Sequence, residues 1–258
     1  METNMKVFPF LFPFLALLII APVAYGEEEI KKISDDSELG YVDSSGNTDV
    51  TTFILNNTFK FLPSDHLEGT WKLNLLYSET DGEKKGQRYG TDLRAEYKFT
   101  QRAYSFGLAS WLRDKFAGVD SRLFFGGGAG YRLLTGPKHK LLGEAGLNYT
   151  LDEFTDKYLT TKFPMDYDRT NDYVGGRVFG EYAYFFTKKN RFTAWIEYLP
   201  DFEDDGNYNV NGEAALISAL NGFLSLKASY LVKYDNEPPL GATDTDKILS
   251  LNLVVNMI

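Results

Sequence analysis

Apolar and polar positions alternate with a period of two along most of this chain. Leu249, Leu251, Leu253, Val255 and Met257 interleave with Ser250, Asn252, Val254 and Asn256. Leu224, Leu226, Ala228, Tyr230, Val232 and Tyr234 do the same against Ser225, Lys227, Ser229, Leu231 and Lys233. Tyr89, Thr91, Leu93, Ala95, Tyr97 and Phe99 alternate with Arg88, Asp92, Arg94, Glu96 and Lys98. Such alternation marks strands with two chemically different faces. It predicts twelve strands, near 38–45, 48–62, 68–79, 87–100, 102–114, 120–135, 138–152, 171–187, 190–201, 207–219, 222–234 and 245–257. Most exceed the ~9–11 residues with which a tilted strand crosses a bilayer core.

The chemistry of the two faces indicates which solvent each one meets. In a soluble sandwich or lipocalin the apolar face packs a core and strands run to about five or six residues. Here the apolar faces are free of charge over their centres, and the opposite faces collect it. Beyond the charges above, the polar set holds Lys60, Lys72, Arg113, Arg122, Arg132, Glu144, Arg177, Glu181, Glu197 and Glu213. A Lys or Arg facing lipid costs ~2–4 kcal/mol at mid-depth of a barrel wall, which explains such segregation. The connections point the same way. Pro63-Ser64-Asp65-His66, Thr100-Gln101, Gly136-Pro137, Lys188-Lys189-Asn190 and Asn221-Gly222 are short. They alternate with longer acidic stretches at 81–86, 152–170, 201–206 and 235–244. Short inner turns and long outer loops are the rhythm of an outer-membrane barrel. Tyr77, Tyr89, Tyr173, Tyr198 and Tyr234 then approach outer strand ends, and Tyr104, Tyr131 and Tyr184 inner ones, as aromatic girdles do.

The N-terminus carries an address. Lys6 precedes the apolar run Val7 to Ala21, which is followed by Ala24-Tyr25-Gly26, the layout of a signal peptide cleaved before Glu27. The expected organisation is a signal peptide over 1–26, a charged arm over 27–37 and the barrel over 38–258. Of 258 residues, 36 are Asp or Glu and 27 Lys or Arg, giving a formal charge of −9, so a nucleic-acid partner is not expected. With no cysteine, disulfides, thiolate nucleophiles and Cys-ligated metals are excluded. The two histidines, His66 and His139, both fall in expected inner turns, away from the outer-rim acids that a surface hydrolase would pair with them.

Several motifs resemble one known family. Gly40-Tyr41 with Ser45-Gly46-Asn47-Thr48, Gly126-Gly127-Gly128-Ala129-Gly130-Tyr131 and Glu144-Ala145-Gly146 carry the likeness. So do Glu197-Tyr198-Leu199-Pro200, Leu224-Ser225-Leu226, Tyr230, Tyr234, Pro238-Pro239 and Asp244-Thr245. In this order they resemble the YdiY-like family, a domain-of-unknown-function family labelled salt-induced outer membrane protein, over about 38–258. The resemblance implies an outer-membrane location and brings no catalytic residues. One departure is the ending Asn256-Met257-Ile258, where barrels commonly end in an aromatic residue read by the insertion machinery.

The residues that could carry function are the polar-face charges Arg88, Asp92, Arg94, Glu96, Lys98, Arg122, Arg132, Glu144, Arg177, Glu181, Glu197 and Glu213. They can form an ion-pair network that fills a narrow lumen, a charged constriction that selects solutes, or both. Gly126, Gly128 and Gly130 share the lumen face, with Gly107 and Gly146 beside them, and are expected to leave bare wall for curvature or for bulky neighbours such as Trp111. Asp152, Glu153, Asp156, Asp166, Asp168 and Asp172, then Asp201, Glu203, Asp204 and Asp205, make the outer loops acidic. Carboxylates of that kind could hold Ca²⁺ or Mg²⁺, although the spacing of an EF-hand is absent.

The expectation is therefore an all-β, up-and-down antiparallel transmembrane barrel of about twelve strands in a Gram-negative outer membrane. Its partners would be membrane lipid, lipopolysaccharide and the barrel-insertion machinery. Its function would be passage of small hydrophilic solutes or ions, or envelope maintenance under salt stress, with no enzymatic activity and no cofactor beyond the loop cations. The alternatives are a surface hydrolase using outer-rim acids and a soluble secreted ligand-binding barrel.

Overall fold

Each alternating stretch forms a strand whose two faces meet different surroundings. The computed structural model describes residues 33–44, 50–114, 118–155, 169–238 and 244–257. The expected signal peptide, most of the charged arm, and Asp156, Asp166 and Asp168 lie outside the described residues. Twelve strands follow one another: β1 Ile33–Ser44, β2 Val50–Phe61, β3 Leu67–Thr80, β4 Glu83–Lys98, β5 Ala103–Asp114 and β6 Val119–Thr135. The second half continues with β7 His139–Phe154, β8 Thr170–Phe185, β9 Asn190–Pro200, β10 Tyr208–Ala219, β11 Leu224–Asp235 and β12 Thr245–Met257. Each pairs antiparallel with its chain neighbours, and β12 returns to β1, so the sheet closes into an up-and-down barrel.

The outward side of most strands is apolar and open. Leu147, Val178, Ile196, Leu249 and Leu251 are exposed outward, Leu249 by 80%. Left in water, side chains of this size forfeit about 1.5–3 kcal/mol each relative to burial. Burial shows the reverse chemistry: among the described residues six apolar side chains are buried against twelve polar or charged ones, most of the latter on the lumen face. A soluble ligand-binding barrel would place its apolar face inside, so that alternative is contradicted. Hydrocarbon is the solvent that suits this outer face.

The inner connections, 62–66, 99–102, 136–138, 186–189 and 220–223, are three to five residues long. Three are tied by one side chain accepting two backbone N–H groups. Thr100 Oγ1 takes those of Arg102 and Ala103, Thr187 Oγ1 those of Lys189 and Asn190, and Asn221 Oδ1 those of Phe223 and Leu224. Ser, Thr and Asn favour turns for this reason. The outer connection expected over 81–86 is instead a two-residue turn. Asp81 (φ 53°) and Gly82 (φ 76°) both adopt the left-handed conformation, the geometry of a type I′ hairpin that keeps two twisted strands in register.

Phe61, Tyr97, Phe99, Tyr131, Phe186 and Phe223 are exposed around the inner rim. His66 stacks on Tyr97, and His139 lies 4.8 Å from the Tyr184 ring while its Nδ1 meets the Tyr182 hydroxyl at 2.8 Å. Both histidines thus belong to the inner aromatic belt. At the outer rim Tyr208 contacts Tyr198 and Tyr234, with centroids 5.8 and 5.9 Å apart. Two of the expected girdle tyrosines point the other way. Tyr104 is buried, and Tyr173 shares the lumen face with its ladder partner Thr150.

Two further positions differ from the sequence reading, each for a physical reason. β1 starts at Ile33, five residues into the expected arm. Its outward Asp35 and Ser37 are satisfied by Asn57, whose Nδ2 donates to Asp35 Oδ1 at 2.5 Å and to Ser37 Oγ at 2.9 Å. In β5 the phase is inverted. Register with β4 puts Tyr104, Phe106, Leu108 and Leu112 in the lumen and sends Gly107, Trp111 and Arg113 outward. Arg113 sits at the outer strand end, where it meets Asp120 at 2.8 Å.

Candidate functional site

Strand parity and the ladder registers place all twelve proposed charges, Arg88 to Glu213, on the lumen face. Within the lumen they are unequal, because the wall between β5 and β7 is hollowed by glycine. Gly126, Gly128 and Gly130 of β6 face inward, as does Gly146, the ladder partner of Gly128. A Cβ on Gly130 would lie inside the Tyr104 ring, and one on Gly128 would collide with the Ala145 carbonyl. The missing side chains let β5 lay Tyr104 and Phe106 across the wall. The room expected for Trp111 is taken by these two rings.

Glu144 stands at the middle of this hollow and is buried, with 5% of its surface exposed. Arg94 reaches it from β4, with Nη2 2.5 Å from Oε1 and Nη1 3.2 Å from Oε2. Arg177 on β8 donates through Nη1 to Oε2 at 2.7 Å, and the Tyr104 hydroxyl donates to Oε1 at 2.8 Å. The array extends in both directions. Arg177 Nε binds Glu197 at 2.6 Å, Arg94 lies 3.4 Å from Glu96, and Glu96 binds Arg132. Phe106 lies between two guanidinium groups, 4.8 Å from that of Arg94 and 5.3 Å from that of Arg177. Arg132 covers the Tyr104 ring at 4.3 Å. Guanidinium groups over aromatic faces keep favourable electrostatics where water is scarce.

The remaining charges form smaller groups. Lys98 pairs with Glu68 at 2.8 Å, and Asp92 accepts from Asn74 at 3.0 Å. Arg88 lies across the β4–β5 ladder from Asp114. Arg122 grips Asp152 through two parallel bonds of 2.5 and 2.6 Å, the fork geometry that makes Arg–carboxylate pairs strong. On the far wall Lys227 joins Glu38 and Glu213 at 3.2 Å each. Glu181 is exposed in the lumen opposite Trp195, with no hydrogen bond or ion pair among the described residues. Lys72 is likewise exposed on the inward face of β3.

Most of the described acids expected to hold a cation have other partners. Asp152 is a lumen residue bound to Arg122 and not a loop carboxylate. Glu153 faces Arg169 at 3.6 Å. Asp201 is buried and folds its own turn, accepting from Glu203 N at 2.8 Å and Asn207 Nδ2 at 2.9 Å. Glu203 accepts from Val174 N at 3.4 Å, and Asp204 from Gly206 N at 2.9 Å; Asp205 is exposed beside them. Among the described residues no three acids or histidines converge on a point where a metal could sit. Sequence reasoning missed Tyr104, Phe106, Glu68 and Glu38 as partners in the lumen, whereas Lys227 lies on the polar face that the alternation predicts. The run of glycines opposite β5 was the available signal for the two aromatics.

A closed twelve-stranded barrel with an apolar outside, aromatic rims and a charged, partly filled lumen has the fold of outer-membrane β-barrels. The chain belongs to the family described as protein of unknown function DUF481, whose model matches residues 37–257. It is similar to the uncharacterized protein YdiY of Escherichia coli (strain K12), with 28% identity over 228 residues, covering 88% of this chain and 84% of the relative. Among solved structures it is similar to the COG4313 outer membrane channel from Pseudomonas putida F1. That likeness has a TM-score of 0.51 at 10% identity over 92% of this chain and 100% of the other. It is also similar to the NanC porin, with a TM-score of 0.49 at 10% identity over 86% and 97%.

Proposed function

We propose that this protein resides in a Gram-negative outer membrane and passes small hydrophilic solutes or ions through its lumen, with selectivity set by the charges at mid-height. The supporting observation is the asymmetry of that lumen. Part of the wall from β4 to β9 is filled by the Glu144 array, whereas Lys72 on β3 and Glu181, farther along β8 than Arg177, present charge to accessible space. A lumen filled from one side is narrowed, and a water-filled remainder lined by both signs discriminates weakly between ions. The array also supports strand register, since Arg94 and Tyr104 reach Glu144, and Arg132 reaches Glu96, across strands that are not ladder neighbours. Asp152, Glu153, Asp201, Glu203 and Asp204 have turn or ion-pair partners, which gives the hydrolase alternative less support.

Planar-bilayer recording of refolded protein tests this reading. Discrete conductance steps are expected, and Lys72→Glu should move the reversal potential in a salt gradient toward cation preference. Silence of the folded wild-type protein at every voltage and salt concentration would remove the conduit and leave a structural barrel.

A further inference from the structure

Among the described residues, the seam that closes the barrel is ladder-paired along its inner half only. β1 and β12 share five residue pairs, from Asp35↔Met257 to Leu39↔Leu253, where β10 and β11 share eleven. Beyond Leu39 and Leu253 each strand continues toward the outer rim on its other neighbour alone. β1 stays with β2 as far as Ser44↔Val50, and β12 with β11 as far as Tyr234↔Thr245. Five residues of β1 and eight of β12 thus run without a shared ladder, roughly 17 and 27 Å of backbone at ~3.4 Å per residue. That compares with a hydrocarbon core about 30 Å thick. An open sheet edge does not persist against lipid tails unless it borders a polar cavity or meets hydrogen-bonding groups.

The apex of this wedge is built from polar atoms. A Cβ on Gly40 would lie 2.5 Å from Asn252 Oδ1, so the bare glycine admits the Asn252 side chain against β1. Asn252 is 3% exposed and its Nδ2 donates to Ser250 Oγ at 3.3 Å and to Glu38 at 3.5 Å. Its Oδ1 is buried and has no hydrogen-bond partner among the described residues. A buried acceptor left unpaired is destabilising, so the site suits a donor from outside the chain. The outward flank is apolar: Tyr41 and Leu251 are 64% and 63% exposed and continuous with the lipid-facing wall.

We infer that the outer half of the β1–β12 seam is a lateral port for a single amphiphile from the surrounding leaflet. A hydroxyl or amide donor of its headgroup binds Asn252 Oδ1, and its acyl tail leaves between Tyr41 and Leu251 into the bilayer. Only a molecule with both chemistries satisfies the polar apex and the apolar flank together. The inference rests on the barrel wall lying in lipid and is independent of whether the lumen conducts.

The chain has no cysteine, so the seam can be probed with introduced pairs in the full barrel refolded into phosphatidylcholine vesicles. Under mild oxidation Ser37→Cys with Val255→Cys, which are ladder partners, should form a disulfide. Tyr41→Cys with Leu251→Cys should form it at least tenfold more slowly. A lysophosphatidylethanolamine with a photoreactive tail should label peptides containing Tyr41 and Leu251 at least fivefold above those containing Leu123 on the opposite wall. Asn252→Leu, checked for folding by its heat-dependent gel shift, should erase that preference. Three results would overturn the port: equal cross-linking of the two pairs, uniform labelling around the wall, or disulfides between Leu251→Cys residues of separate copies. The last would assign the edge to self-association. Channel silence with the labelling intact would sink the conduit alone.

Discussion

Truncating Glu144 is the sharpest perturbation of the lumen. The carboxylate is 5% exposed and receives both Arg94 nitrogens, Arg177 Nη1 and the Tyr104 hydroxyl. Removing one member of a buried ion pair costs about 3–5 kcal/mol, because the partner is left charged and unpaired. Arg177 would retain Glu197 at 2.6 Å and Arg94 would retain Glu96 at 3.4 Å, so Glu144→Ala is expected near the lower end, at about 3 kcal/mol. Glu144→Gln keeps the volume and one acceptor but loses the charge that roughly doubles each hydrogen bond, and about half that loss is expected. The assay is reversible urea unfolding in lipid vesicles followed by tryptophan fluorescence. The midpoint should fall while the slope stays constant. A cycle combining Glu144→Ala with Arg177→Ala should be non-additive by at least ~1 kcal/mol, since the two share a bond. An Ala variant with the wild-type midpoint would refute the view that this array stabilises the barrel.

Two further outcomes follow from the same geometry. Gly128→Ala places a methyl against the Ala145 carbonyl and should cost several kcal/mol or prevent refolding, whereas Gly107→Ala, with nothing within 4 Å, should unfold like wild type. Ile196→Arg, on the lipid face at mid-strand, should cost ~2–4 kcal/mol in urea titrations, while Thr193→Arg in the lumen should cost under ~1 kcal/mol and change conductance instead.

Local patterning made most of the architecture legible. The alternation in 190–201 and 245–257 became β9 Asn190–Pro200 and β12 Thr245–Met257 almost residue for residue, because a wall between two solvents enforces parity at every position. Parity failed where side chains had other partners. The start of β1 was hidden because Asp35 and Ser37 face outward and are satisfied by Asn57, a residue twenty positions further on. β5 was phased backwards because its lumen face is apolar, with Phe106 lying between guanidiniums that no single strand reveals. The Asp81-Gly82 dipeptide, which favours the left-handed pair of a two-residue hairpin, carried a signal that the expected loop over 81–86 did not use. The partner of Glu144 was not. Arg94 lies three strands away, and contact depends on the room that Gly126, Gly128 and Gly130 leave at the wall.

Every functional statement depends on lipid covering the outward face, and the three tryptophans test it directly. Register places Trp71 and Trp111 outward and Trp195 in the lumen. In single-tryptophan variants refolded into vesicles of brominated phosphatidylcholine, Trp71 and Trp111 emission should be strongly quenched and Trp195 emission spared. Quenching of Trp195 with Trp71 and Trp111 untouched would contradict the account.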